Sequence, residues 1–223
     1  MSGWMLISRI GSFNVMIPIA TALGCGLAAS GNWHTLRWWC GSILGLVCLT
    51  AASKIAFLGW GVGIRSLDFT GFSGHAALAA AVLPATFVSA LHRRSRPLRW
   101  CGLLSGLIVA ACVAVARVKL HAHSVAEVVG AMLIGAAASA LVVRSLAAPQ
   151  QLEMRRPLVV ACLLALAAAS MMRPAPTQRW MIASALYLSG QDRPFIRQGW
   201  RRAPQTWKRA PPLAVEFRAN GEK

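Results

Sequence analysis

Acidic residues are nearly missing from this chain. Its 223 residues hold 6 Asp and Glu against 23 Lys and Arg, a formal net charge of +17. Only Asp68 and Glu127 occur before position 150. Charge of either sign is scarce as well: 13% of residues are charged, where a soluble domain carries about a quarter. That shortage excludes an ordinary water-facing surface. Hydrophobic residues make up 57% of the chain and fall in long runs, which places it among integral membrane proteins. CxxC pairs are also missing. Cys25, Cys40, Cys48, Cys101, Cys112 and Cys162 lie in or at the ends of apolar runs. This argues against thiolate metal sites or a disulfide framework and for small apolar packing residues. The basic residues are scattered between apolar stretches and form no single stripe. Nucleic acid is therefore not an expected partner, and membrane topology is the reading of the excess charge.

A membrane span needs about 20 apolar residues. Six candidates are present, at about 10–29, 39–60, 75–91, 100–116, 125–146 and 157–172. The expected fold is all-α, a polytopic transmembrane helical bundle of about six spans. Ala22-Leu23-Gly24-Cys25 has some likeness to a lipoprotein cleavage site, but the basic region before it is only Arg9, which favours a retained first helix. Small residues crowd the later spans, as in Ala76–Ala81 and Gly130–Gly135. Small side chains let helix backbones approach closely in lipid, so these spans are expected to be the packed inner ones. Four arginines between His92 and Arg99, and Arg144, Arg155 and Arg156, mark two loops on one face, which the positive-inside bias assigns to the cytoplasm. The expected location is the inner membrane, with the intervening loops on the periplasmic face. Residues 1–172 read as the transmembrane domain and 173–223 as a basic tail. That tail holds ten Lys and Arg, three acids, six prolines, and Trp180, Trp200 and Trp207. A crossing sixth span puts the tail on the outer face, against the usual bias. Two expectations follow: the tail lies along anionic headgroups, or the sixth segment does not cross.

Two polar islands interrupt the apolar runs on the expected outer face. One is Ser73-Gly74-His75. The other holds Arg117, His123 and Glu127. His123 and Glu127 are four apart and share a face if a helix begins near His123. The carboxylate can then take one imidazole nitrogen and leave the other as a nucleophile. Arg117 offers a planar fork that suits phosphate oxygens. Ser73, the Gly74 amide and the first amides of a helix form an anion cradle, and His75 is placed to act as a general acid. Lys54 sits in an apolar run, where a cation is costly unless it snorkels or has a function; Arg65 follows in the next loop. Lys119 and His121 lie in the second island. His121 and His123 have no cysteine or acidic cluster beside them, so no metal and no cofactor is assigned.

In these residues the chain resembles the type 2 phosphatidic acid phosphatase family of membrane lipid phosphatases. That family's pattern is Ser-Gly-His, then Arg, five residues, His, three residues and Asp. Gly71-Phe72-Ser73-Gly74-His75 resembles the second signature, with Phe72 where Pro is usual. Arg117, His123 and Glu127 resemble the third, with Glu in place of Asp. The first signature, Lys, six residues and Arg-Pro, departs: Arg65 follows Lys54 after ten intervening residues and precedes Ser66. The resemblance covers about residues 40–146. It implies that His123 attacks phosphorus to form a phospho-histidine and that His75 protonates the leaving group. It implies that Glu127 orients His123, and that Lys54, Arg65, Ser73, Gly74 and Arg117 hold the phosphoryl oxygens. The implied substrate is a lipid phosphate or diphosphate, of the undecaprenyl diphosphate or phosphatidyl phosphate type, met at the membrane. The alternatives are a transporter or scaffold with a degenerate site, a vanadate-dependent oxidation, and phosphotransfer between lipids.

Overall fold

Apolar runs that end at glycine, serine and proline form the helices of this chain. The computed structural model describes residues 3–91, 94–145 and 177–202. Helices α1 (Gly3–Ile10) and α2 (Phe13–Ala29) are separated by a break at Gly11-Ser12. Then come α3 (Trp33–Trp60), α4 (Gly74–Ala90), α5 (Arg96–Lys119), α6 (Val125–Ser145), α7 (Thr177–Ser189) and α8 (Arg197–Arg202). The described residues contain no strand; one bridge, Ile64 with Phe69, closes a hairpin over the short 3-10 turn Arg65–Leu67. Among the described residues, four stretches are long and apolar enough to cross a membrane: Gly3–Ala29, Trp33–Trp60, Arg96–Lys119 and Val125–Ser145. Gly74–Ala90 is a shorter apolar helix. These five correspond to the first five expected spans, so the all-α bundle is borne out. The sixth, 157–172, lies outside the described residues, as does the expected boundary at 172/173.

Helix α3 shows how the sequence sets length. Its start is capped by Asn32, whose side chain accepts from the Thr35 amide at 3.2 Å. It ends at Gly61, whose φ of +67 turns the chain so that the Val62 amide folds back to the Ala56 carbonyl at 3.3 Å. The 28 residues between span about 42 Å at ~1.5 Å each. Trp33 and Trp38 are exposed at one end and Trp60 at the other. That separation matches a bilayer with its headgroup layers, where exposed tryptophans sit.

Helix α4 is the inner helix. Its alanines from Ala76 to Ala81 are all buried, and α5 and α6 flank it. Gly106 of α5 lies against the backbone of Leu83 and Pro84, and Gly135 of α6 against the Ala77 carbonyl. The expectation that small residues mark inner helices holds for α4 and for the facing stripes of α5 and α6. Helix α2 buries a comparable stripe with larger residues, Val15, Met16, Ile19, Leu23 and Leu27. Leu23 and Gly24 are packed inside this continuous helix, Gly24 against Leu36 and Trp39. Cys25, Cys40, Cys48, Cys101 and Cys112 are exposed on outward faces rather than packed between helices.

The chain crosses back and forth so that one end collects the polar islands. Helices α3 and α5 finish there, and α4 and α6 begin there. Arg94, Arg96, Arg99 and Arg144 stand at the opposite end. Helix α7 runs alongside α3 in the same direction: Met181 and Ile182 pack near Ile55, and Ala185 and Ser189 meet Gly59. Beyond it, the Phe195 amide donates to the Leu58 carbonyl at 2.8 Å and Trp200 Nε1 to the Gly61 carbonyl at 3.1 Å. Phe57, Leu58, Ala185, Phe195 and Trp200 form a second buried cluster. The described part of the tail is thus packed helix on the face of the polar islands, rather than a separate basic appendage.

Candidate active site

The site is built around the start of α6. Ser124 and Glu127 form a capping box: the Glu127 amide donates to Ser124 Oγ at 3.3 Å, and the Ser124 amide to Glu127 Oε2 at 3.1 Å. The turn before it is tight. His121 adopts φ +52, and the Ala122 and His123 amides both donate to the Arg117 carbonyl, at 3.1 and 3.3 Å. This fold-back sets His123 one residue ahead of the cap, where its Nδ1 lies 2.7 Å from Glu127 Oε2. A carboxylate only accepts, so Nδ1 carries a proton, and in the neutral ring Nε2 keeps its lone pair.

The other oxygen of Glu127 is equally engaged. Oε1 accepts from the Thr70 amide and the Thr70 hydroxyl, both at 2.6 Å, and from Arg197 Nη2 at 2.5 Å. Arg197 Nη2 also donates to Thr70 Oγ1 at 2.8 Å, and Nη1 lies 3.5 Å from Asp68 Oδ2. Glu127 is completely buried, and a buried carboxylate is tolerated only with such partners.

The loop from Thr70 to Ser73 is strapped between α3 and α6. The Phe72 amide donates to Ser53 Oγ at 3.1 Å, and the Ser73 amide lies 3.4 Å from the Glu127 carbonyl. Gly71, at φ +139, passes the Ser53–Lys54 backbone where a side chain would sit within 3.2 Å of it. These contacts bring the start of α4 beside Lys54.

A cavity of about 720 Å³ opens at this point. Lys54, Gly74, His75, Arg117 and His123 all line it. The rest of its wall is largely apolar: Val47, Thr50, Ala51 and Ile55 form a stripe down α3, faced by Phe13, Leu78, Trp180 and Met181. Arg117 donates through Nη1 to Ser8 Oγ at 3.1 Å, and its buried Nε has no protein partner. Ser73 is fully buried with an unpartnered Oγ, directly before the lining residue Gly74. Burial holds the His123 imidazole below its ordinary pKa, helped by the nearby cations Lys54 and Arg117, while Glu127 opposes the shift.

Of the residues singled out in the sequence, Lys54, Gly74, His75, Arg117 and His123 meet on one cavity, with Glu127 behind His123 and Ser73 at its edge. Arg65 is not among the lining residues. Its guanidinium lies over the Trp200 ring, 5.4 Å from the centroid. Thr70, Arg197, Ser8 and Ser53 were not singled out. The Ser124-x-x-Glu127 pattern signals the capping box, but no local signal marks a partner 70 residues away.

Residues 64–151 match the PAP2 superfamily. The PAP2 segment carries Ser73, Gly74, His75, Arg117, His123 and Glu127, so the family resemblance of the two islands is borne out. Lys54 and Arg197 lie outside that segment. A protein of Klebsiella pneumoniae described as an uncharacterized 22.5 kDa protein in the cps region is 43% identical over 139 residues. The match covers 62% of this chain and 66% of that protein, so the chain spans a little under two thirds of its length. No solved structure matches. The PAP2 match supports phosphatase-type chemistry on a phosphate ester.

Proposed function

We propose that this chain is a multi-pass membrane phosphatase that hydrolyses a lipid phosphate or diphosphate through a phospho-histidine on His123. The observation that carries the reading is the His123–Glu127 pair: Nδ1 is bound to a buried carboxylate, on a ring that lines the same cavity as His75, Lys54 and Arg117. Phosphoryl transfer needs positioning and cationic stabilisation more than covalent help from the protein, and this set supplies both.

In the first step His123 Nε2 attacks phosphorus. An N–P bond forms and the bond from phosphorus to the leaving oxygen breaks. His75, whose imidazolium form is favoured once the negatively charged phosphate is seated against it, gives that oxygen its proton. Lys54, Arg117, the Gly74 amide and the Ser73 hydroxyl hold the three phosphoryl oxygens. In the second step water attacks phosphorus, His75 takes the water's proton, and the N–P bond breaks. Glu127 keeps the proton of His123 on Nδ1 throughout. Arg65, seated on Trp200, has no part in this scheme.

The apolar stripe of Val47, Ala51 and Ile55 beside Lys54 suits a substrate whose phosphate is at the polar end and whose chain continues between helices. This favours undecaprenyl diphosphate or a phosphatidyl phosphate over a soluble ester. Arg94, Arg96, Arg99 and Arg144 at the far end favour a cytoplasmic position there and a periplasmic site in an inner membrane.

The test is phosphate release by the detergent-purified chain from prenyl diphosphates, phosphatidate, phosphatidylglycerophosphate and lipid A. His123→Ala is expected to abolish release, and acid-labile phosphate on the wild-type protein is expected in a rapid quench. Release that persists in His123→Ala would overturn the reading.

A further inference from the structure

A buried carboxylate beside a histidine raises a question of charge. If His123 alone balanced Glu127, the ring would be favoured as imidazolium. In that form Nε2 carries a proton and has no lone pair for phosphorus. The groups that face the ring are Lys54 from α3, His75 from α4, Arg117 from α5 and Glu127 from α6. Glu127 is the one carboxylate in that set.

Arg197 supplies the missing balance from the far side. It reaches Oε1, the oxygen that His123 does not use, and is itself steadied by Thr70 Oγ1 and Asp68. Its side chain is 21% exposed while that of Glu127 is 0% exposed, so it approaches from the surface and closes over the carboxylate. Phe195 and Trp200, on either side of it in sequence, are buried and bonded to the end of α3. The guanidinium is therefore held in place by packing.

We propose that Arg197 is a positioning residue for the His123–Glu127 pair: it neutralises Glu127 from behind and so keeps His123 a neutral nucleophile. Its catalytic consequence rests on the phosphatase reading above; its electrostatic effect on His123 does not.

The test uses the full chain in detergent with Arg197→Gln, Arg197→Met and Arg197→Lys, each checked for a monodisperse peak on gel filtration. Two readouts are taken across pH 4.5–8.5. One is phosphate release. The other is carbethoxylation of His123 by diethyl pyrocarbonate, located by fragment mass, which reports the basicity of the imidazole with or without catalysis. Arg197→Gln is expected to leave KM within about threefold and to lower kcat on the acid limb, by about tenfold for each unit that the midpoint rises. It is expected to move the acid limb of activity and the carbethoxylation midpoint to higher pH by about half a unit or more. Arg197→Lys, which keeps the cation, is expected to restore most of kcat. In a Glu127→Gln background Arg197→Gln is expected to cost nothing further.

Unmoved midpoints in Arg197→Gln, or an equal loss of kcat in the Glu127→Gln background, would overturn the proposal. Should Arg197→Gln fail to fold, Arg197→Met, which also removes the cation and keeps the side-chain stem, must move the midpoint to higher pH, and a wild-type midpoint there would overturn the proposal. A wild-type protein that releases no phosphate from any lipid, yet shows the carbethoxylation shift in the variant, upholds Arg197 and removes the phosphatase reading.

Discussion

Ser124 and Glu127 bond each other in both directions, amide to side chain, at 3.1 and 3.3 Å. The carboxylate that orients His123 is therefore also the residue that starts α6. Glu has the reach to serve Ser124 and His123 with Oε2 while Oε1 turns to Thr70 and Arg197. Glu127→Gln keeps the shape but turns a donor toward His123 or breaks the contact. The imidazole proton then moves to Nε2, and kcat is expected to fall by about 10⁴-fold, as when a catalytic imidazole is held in the wrong tautomer. Glu127→Asp keeps the charge with a shorter arm and is expected to lose less. Steady-state kinetics on both variants checks the order.

The pH dependence follows from His123. Burial disfavours its charged form, so its pKa lies below the ordinary 6.5. The reactive form is neutral, so kcat/KM is expected to hold through pH 6.5 and to fall only at lower pH. The same sign applies to stability. Below the unfolded value of 6.5 the unfolded chain binds a proton that the folded site refuses, so this contribution weakens as pH drops. A pH–rate profile with its acid limb at or above 6.5 would contradict the buried imidazole.

Lys54 and Arg65 are expected to separate cleanly. Lys54 lines the cavity and Arg65 lies on Trp200. Lys54→Met is expected to lower kcat/KM by about 10²-fold or more, the scale for losing one donor to a developing oxyanion. Arg65→Ala is expected to lose less than about tenfold, with a small loss of thermal stability from the missing contact with Trp200. Parallel assays at saturating and limiting substrate distinguish the two.

Packing at the centre is expected to be unforgiving in one place and tolerant in another. A side chain at Gly135 would strike the Ala77 carbonyl and come within 2.8 Å of Ala80 Cβ, whereas Gly41 has nothing within 4 Å. Gly135→Val is expected to cost about 1–3 kcal/mol or more by pushing α6 from α4. Gly41→Ala is expected to be neutral or slightly stabilising, since alanine gives up less backbone freedom in a helix. Thermal unfolding in one detergent compares them.

Much of this architecture is legible in the sequence because lipid imposes a simple code. Long apolar runs must be helices, and the alanines from Ala76 to Ala81 leave α4 no large face to expose. The two islands are legible because their spacing places His123 and Glu127 on one turn, and because Ser73-Gly74-His75 opens a helix that begins at the same level. What escaped is non-local. Arg197 bonds Glu127 across 70 positions and Arg117 bonds Ser8 across 109, and nothing near either arginine in the chain advertises the partner. The family resemblance implies a phosphate role for Arg65, although its spacing from Lys54 departs from the first signature. The hairpin from Ile64 to Phe69 turns Arg65 toward Trp200, a residue of α8 held at the end of α3 by Phe57 and the Gly61 carbonyl.

The three donors on Glu127 Oε1 have a consequence for biosynthesis. Thr70 leaves the ribosome long before residue 197 is made, so a nascent chain can thread its first helices into the bilayer while the carboxylate still lacks its guanidinium. The carboxylate would then gain its third donor only once translation has passed that codon, so the network that fixes the start of α6 is completed by one of the last helices to be made.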